Sequence, residues 1–96
     1  MVEGCYLLHF ERVVHGAQHY LGWSVDIERR VRIHLNGHGA RLVRQALRAG
    51  VTVELVRVWP SADRKQERLM KKGRAPKRYC PQCGIRARRA RPGTPS

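Results

Sequence analysis

The sequence is poor in acidic residues and in aromatic residues, and it has no long apolar run. Aspartate and glutamate number 7 against 20 lysines and arginines, so the formal net charge is +13. No stretch approaches the roughly 18 apolar residues of a transmembrane helix, and Glu3 stands where a signal peptide would be basic. We therefore expect a cytoplasmic protein without a membrane partner.

Cysteine is also scarce. The three cysteines, Cys5, Cys80 and Cys83, are too few for a disulfide framework and suit a reducing compartment. Cys80 and Cys83 have the CxxC spacing that opens many zinc sites, because the short turn directs both thiolates at one ion. This is half of a site, and completing it would require Cys5, a histidine such as His38, or a second chain. The alternatives are a pair of reduced thiols in a mobile tail and the remnant of a longer zinc finger. His9, His15 and His19 receive no role from the sequence.

The basic residues are concentrated near the C-terminus. Residues 64–96 contain 12 basic residues and one acid, Glu67, whereas the first 63 contain 8 basic residues and 6 acids. Because 96 residues accommodate one core, we predict a folded domain over residues 1–73 and a basic, flexible tail over 74–96.

This charge favours a nucleic-acid partner, since a strongly basic chain is neutralised by a polyanion. An anionic membrane surface is disfavoured, because the tail lacks the interleaved leucine, phenylalanine and tryptophan of a membrane-binding helix. The predicted phosphate contacts carry no base sequence. They are Arg29, Arg41, Arg44, Lys71, Lys72, Arg74, Lys77, Arg78, Arg86, Arg88, Arg89 and Arg91.

Apolar runs and turn residues predict six elements in the first 72 residues. Ser24 and Asp63 are the expected N-caps of the first and third helices, and residues 36–39, Asn-Gly-His-Gly, are expected to end the first helix. The strands are expected over residues 5–10, 19–23 and 51–59, and the helices over 25–35, 40–49 and 64–72. The predicted fold is α/β (α+β), with a small three-stranded sheet, mixed or antiparallel, flanked by helices.

The order of these segments resembles the GIY-YIG nuclease family. Gly4-Cys5-Tyr6 and His19-Tyr20-Leu21-Gly22 are similar to the two strands that give the family its name. Arg30 follows ten residues after Tyr20, His34 lies four further on, and Glu67 falls on the late helix, as in that family. The resemblance covers residues 4–72. Cysteine and leucine replace the two isoleucines, and a basic segment, residues 74–78, stands where many members carry an asparagine.

The resemblance implies a metal-dependent DNA endonuclease, of bacterial or phage origin, with Mg²⁺ or Mn²⁺ as cofactor. Tyr6 would be the general base and Tyr20 would orient the water or the phosphate, although these roles are interchangeable. Arg30 would stabilise the transition state through its planar fork of donors. His34 would shuttle a proton or donate to phosphate, and Glu67 would bind the metal, since Mg²⁺ accepts as few as one carboxylate.

Simpler interpretations of the same residues remain open. Tyr6 and Tyr20 could be ordinary core tyrosines whose hydroxyl groups are hydrogen-bonded. Arg30 could be a solvated helix residue. Glu67 could be a carboxylate that pairs with Arg64 or Lys71. The alternative function is a non-catalytic protein that binds DNA, structured RNA or a ribonucleoprotein. A third possibility is an accessory subunit of a larger complex, whose CxxC site and basic tail dock on a protein partner or a second copy.

Overall fold

The structure is a computed structural model that describes residues 2–71 and 79–81. The elements are β1 (Gly4–Val14), β2 (Ala17–Ser24), α1 (Ile27–Leu35), α2 (Arg41–Arg48), β3 (Val53–Pro60) and α3 (Arg64–Lys71). The strands form one sheet in the order β2-β1-β3, and both pairings are antiparallel. The predicted α/β architecture, a three-stranded sheet with helices, is therefore confirmed.

The β1–β2 hairpin is longer than the sequence suggested. β1 continues past the apolar run to Val14, and the chain reverses at His15 and Gly16, whose φ angles are 49° and 80°. Positive φ at both central residues matches the right-handed twist of a two-residue hairpin, and glycine adopts it without steric cost. The hairpin places His9 directly opposite His19.

Both faces of the central strand are buried, and alternate residues of β1 enter two separate core clusters. Tyr6, Leu8 and Phe10 pack with buried residues of α1 and α2, including Val31 and Val43. The intervening residues face the other side, where a second cluster contains Cys5, Leu7, Leu21, Ala62, Met70 and Cys80. Burial on two sides explains why residues 5–10 form a continuous apolar run without alternation.

The first helix begins later than predicted. Its N-cap is Asp26, whose carboxylate accepts the backbone N–H of Arg29 at 3.2 Å. Ser24 is not the cap, because its hydroxyl accepts the backbone N–H of Asp26 at 3.0 Å and shapes the turn before the helix. The predicted stop is confirmed, since α1 ends at Leu35 and Gly37 has a φ of 83°.

The third helix and residues 79–80 both pack beside the second face of the sheet. Asp63 caps α3 as predicted, with its carboxylate accepting the backbone N–H of Gln66 at 2.8 Å. Arg57 of β3 donates to the carbonyl of Tyr79 at 3.2 Å, and Cys80 is fully buried. The predicted boundary at residue 73 and the tail beyond Pro81 lie outside the described residues. Within residues 2–71 and 79–81, no helix is both long and apolar enough to cross a bilayer.

Candidate functional site

Tyr6 of β1 and His34 of α1 form a buried hydrogen-bonded pair. Nε2 of His34 lies 2.7 Å from the Tyr6 hydroxyl, and Nδ1 accepts the backbone N–H of Ala40 at 3.2 Å. Because Nδ1 accepts, the proton of the neutral ring lies on Nε2, which therefore donates to the Tyr6 oxygen. Burial, helped by the nearby charge of Arg30, lowers the pKa of His34 to about 4. The ring is thus neutral near pH 7.

Two glycines allow the backbone to approach this pair closely. A Cβ atom on Gly22 of β2 would lie 2.5 Å from the hydroxyl oxygen of Tyr6, and one on Gly39 would overlap the imidazole of His34. The two backbone segments therefore hold the Tyr6–His34 pair from opposite ends of the hydrogen bond. This gives a packing reason for the glycine two residues after Tyr20.

A second phenol, that of Tyr20, stands beside the pair. Its ring centroid lies 6.3 Å from that of Tyr6 and 5.1 Å from that of His34, with the latter contact edge-on. Tyr20 is half-buried, whereas Tyr6 is 1% exposed. The ammonium group of Lys71 lies 5.9 Å from the Tyr20 ring centroid. Tyr20 and Lys71 are therefore more exposed than Tyr6 within this group.

The charges of Arg30 and Glu67 both act on Tyr6. Burial raises the pKa of Tyr6 to about 12, and the nearby Tyr20 and Glu67 act in the same direction, while Arg30 opposes them. The Glu67 carboxylate also pairs with Lys71 of the same helix, with 3.4 Å between Oε2 and Nζ. Without a further cation the Tyr6 phenol therefore stays protonated at neutral pH.

The structure thus brings the predicted tyrosines and histidine into contact and places Arg30 and Glu67 within electrostatic reach of Tyr6. The alternative pairing of Glu67 with Lys71 is also present. Among the predicted phosphate contacts, Arg29, Arg41, Arg44 and Lys71 are exposed. The others, Lys72, Arg74, Lys77, Arg78, Arg86, Arg88, Arg89 and Arg91, lie outside the described residues.

The carboxylate of Glu67 and its surroundings are suited to a hard divalent cation. Its side chain is 18% exposed, so an ion can approach from solvent, and its carboxylate is near enough to the Tyr6 phenol to act on the pKa of that group. Mg²⁺ keeps most of its waters and needs only one or two protein carboxylates. Binding of the cation would require the Lys71 ammonium group to leave the Glu67 carboxylate.

A second group of side chains lies near the other face of the sheet. His9 of β1, His19 of β2 and Cys80 present ligand atoms that all lie within 4.8 Å of one another, so the group could hold a metal ion. Neither Cys5 nor His38, which the sequence offered as partners of Cys80, belongs to it. Cys83 lies outside the described residues. The sequence did not point to the two histidines, because their meeting depends on hairpin register.

No family model matches the chain, and no curated protein and no solved structure shows significant similarity to it.

Proposed function

We propose that the chain is a metal-dependent endonuclease that hydrolyses phosphodiester bonds in DNA, in the manner of the GIY-YIG nucleases that its sequence resembles. The observation that supports this proposal is the convergence of Tyr6, Tyr20 and His34, from three separate elements, within reach of the charges of Arg30 and Glu67. Phosphodiester hydrolysis requires a base for water and positive charge near the phosphoryl oxygens. Each requirement has a candidate in this group.

Tyr6 is the stronger candidate for the base. Its oxygen accepts a hydrogen bond from Nε2 of His34, so its own proton is directed elsewhere and can be lost to another acceptor. The resulting phenolate would keep the His34 donor and gain from the positive charge of Arg30. His34 is completely buried, so it acts through Tyr6 as a positioning residue and does not contact phosphate.

Arg30 and Glu67 supply the electrostatic part of the proposal. Arg30 is half-buried beside Tyr6, and its guanidinium remains charged at any working pH and matches the geometry of two phosphate oxygens. A divalent cation bound at Glu67 would neutralise charge on the phosphoryl oxygens and stabilise the leaving alkoxide. The same positive charge beside Tyr6 would favour its phenolate and lower the pKa from about 12.

Tyr20 is the more exposed of the two phenols in this group. Because Tyr6 is 1% exposed, water reaches its oxygen only after a movement of neighbouring groups, and the half-buried Tyr20 and the exposed Lys71 beside it are the candidates for that movement. In this position the Tyr20 hydroxyl can orient the attacking water or the scissile phosphate. Substrate binding would supply the displacement, since a phosphate competes for the ammonium group of Lys71.

The decisive experiment compares cleavage with binding. The full chain is incubated with supercoiled plasmid, branched DNA and linear duplex, with Mg²⁺ and with a chelator, and DNA affinity is measured separately by fluorescence anisotropy. We expect Mg²⁺-dependent nicking that Glu67→Gln and Tyr6→Phe each reduce by at least about 100-fold, as for loss of a general base or of electrostatic stabilisation. Binding should remain within a few-fold of the wild-type value.

The matched control is Glu28→Gln, an identical charge change at an exposed residue of α1. It should leave both cleavage and binding unchanged. Equal cleavage by wild type and Glu67→Gln would overturn the proposed mechanism.

The Glu67–Lys71 ion pair favours a second candidate, a nucleic-acid-binding protein without turnover. In this candidate Lys71 stays ion-paired with Glu67, so the carboxylate binds no metal ion. The exposed Arg29, Arg41 and Arg44 contact phosphates. This candidate predicts tight, salt-sensitive binding with no cleavage of any DNA form at any Mg²⁺ concentration. The plasmid assay therefore separates the two functions directly.

A further inference from the structure

His9, His19 and Cys80 converge from three distant parts of the sequence. His9 and His19 face each other across the β1–β2 hairpin, and Cys80 lies 71 positions after His9. His9 and Cys80 are buried and His19 is half-buried. Alternation along β1 places this group on the side of the strand opposite to Tyr6 and Leu8, so it is separate from the candidate nuclease site.

The distances fit the edges of a tetrahedral zinc site. Nδ1 of His9 lies 3.3 Å from Nε2 of His19 and 3.5 Å from the sulfur of Cys80. In a tetrahedral site, nitrogen ligands lie about 2.0 Å and sulfur ligands about 2.3 Å from the Zn²⁺ ion. Two nitrogen ligands are then about 3.3 Å apart, and a nitrogen and a sulfur ligand are about 3.5 Å apart. Both distances from His9 thus match the spacing that zinc requires, and all three ligand atoms lie within 4.8 Å of one another.

The alternative, a set of hydrogen bonds among the same groups, accounts less well for these contacts. Both short distances end on one atom, Nδ1 of His9. An imidazole nitrogen carries either one proton or one lone pair, so it makes one well-directed hydrogen bond rather than two. A cation at the point shared by the three atoms satisfies them together, because each contributes a lone pair.

The sequence provides a fourth donor of the required type. Cys83 follows Cys80 with the CxxC spacing found in structural zinc sites, in which a short turn directs two thiolates at one ion. We propose that His9, His19 and Cys80 bind one Zn²⁺, and the CxxC spacing is the reason to test Cys83, which lies outside the described residues, as its fourth ligand. Imidazole and thiolate ligands favour Zn²⁺ over Mg²⁺, and each thiol releases its proton to solvent on binding.

A site of this kind has a structural role. With Cys83 as a fourth protein ligand no position would be left for a substrate, and His9 and Cys80 already join the hairpin to residue 80 across most of the chain. The ion would fasten residue 80, which belongs to the basic C-terminal part of the sequence, to the sheet. Zinc binding should therefore contribute directly to the free energy of unfolding.

The first test uses the untagged wild-type chain and needs no substitution. Elemental analysis of protein purified without chelator should find one equivalent of Zn²⁺. Exchange for Co²⁺ should give the intense visible bands of tetrahedral coordination together with a thiolate-to-cobalt charge-transfer band. A chain that retains no Zn²⁺ and shows no tetrahedral Co²⁺ spectrum overturns the proposal.

The second test assigns the ligands. His19→Ala should weaken Zn²⁺ binding by more than about 100-fold, because loss of an outer-shell partner alone costs 10- to 100-fold. Cys83→Ser should reduce the charge-transfer band by roughly half, as one of two thiolates is lost. His38→Ala is the control, because this exposed histidine lies outside the group, and it should retain wild-type affinity.

Two results count against the assignment. Unchanged affinity in His19→Ala removes His19 from the site and overturns the three-residue group, and an unchanged charge-transfer band in Cys83→Ser overturns Cys83 as the fourth ligand. If His19→Ala does not fold, His19→Gln provides the same comparison. The Co²⁺ spectrum of the wild-type chain tests for tetrahedral metal binding without relying on either variant.

Discussion

The imidazole of His34 donates from Nε2 to the hydroxyl oxygen of Tyr6 at 2.7 Å, while its Nδ1 accepts the backbone N–H of Ala40. Both ring nitrogens are used, and the ring is fully buried. Protonation of Nδ1 would destroy the contact with Ala40 and place a charge in the core. The hydrogen bond therefore links the candidate base to the stability of the fold.

Stability should fall in mildly acidic solution because of His34. Its pKa is about 4 in the folded chain against an ordinary value of 6.5, so the unfolded chain binds more protons between these values. As pH decreases from 6.5 to 4, the wild type should lose up to about 3 kcal/mol of unfolding free energy relative to a variant without this histidine.

Urea unfolding of wild type and His34→Gln at a series of pH values measures this loss. Glutamine retains a donor and an acceptor but does not titrate. His38→Gln, the same change at an exposed position, should keep the wild-type pH dependence. Parallel curves for wild type and His34→Gln would contradict the assignment of the effect to His34.

Gly22 should tolerate no side chain. A Cβ at this position would lie 2.5 Å from the Tyr6 hydroxyl oxygen and 3.0 Å from the Tyr20 ring, so both phenols must shift. We expect Gly22→Ala to cost about 1–3 kcal/mol, as for overpacked cores, and to reduce cleavage. Denaturant unfolding and the plasmid assay measure the two effects.

Gly37→Asn is the control for Gly22→Ala. Nothing lies within 4 Å of a Cβ at Gly37, and asparagine tolerates the positive φ of 83° found there. This variant should be close to wild type in stability and cleavage. Wild-type stability and activity in Gly22→Ala would show that the two phenols are not tightly held against β2.

Lys71 should compete with Mg²⁺ for Glu67. The ion pair at 3.4 Å must open before the carboxylate binds a cation, and a partly exposed pair of this type is worth about 0.2–1 kcal/mol. Lys71→Met should therefore lower the Mg²⁺ concentration for half-maximal cleavage by about two- to fivefold. The measurement is a Mg²⁺ titration of cleavage at saturating DNA.

Lys65→Met is the matched control, because Lys65 is exposed in the first turn of the same helix and forms no ion pair with Glu67 among the described residues. Its Mg²⁺ dependence should equal that of the wild type. A higher Mg²⁺ requirement in Lys71→Met would mean that the lysine assists the site.

The C-terminal arginines should contribute affinity for DNA through phosphate contacts. A chain that ends at Gly84 keeps Cys80 and Cys83 but lacks Arg86, Arg88, Arg89 and Arg91. The slope of log affinity against log salt should decrease in magnitude by about 3 to 4, since each phosphate contact with duplex DNA contributes about 0.9.

Replacement of the same four arginines by lysine is the control for this truncation. It preserves the charge, so the salt slope should remain close to wild type. An unchanged slope in the truncated chain would show that these arginines do not contact phosphates. Both measurements use fluorescence anisotropy on one duplex over a range of salt concentrations.

The sequence by itself determined the number, type and approximate position of the elements, because apolar runs, caps and turn residues act locally. Asp63, the Asn36-Gly37 stop and the buried β1 run were all readable in this way. The exact ends of the elements were harder to predict, because neighbouring residues can give the same local signal. Ser24 and Asp26 both suit an N-cap, and only the hydrogen bond to Arg29 distinguishes them.

The tertiary structure alone decided which side chains meet. The approach of Tyr6, Tyr20 and His34 was expected from a family resemblance, whereas the tautomer of His34 follows from a backbone contact that has no local signal. The group of His9, His19 and Cys80 depends on hairpin register and on a contact across 71 positions. A one-residue change in register would turn His19 to the other face. The turn at His15 and Gly16 does not by itself set the pairing of His9 with His19, because the register shifts between His9 and Val14.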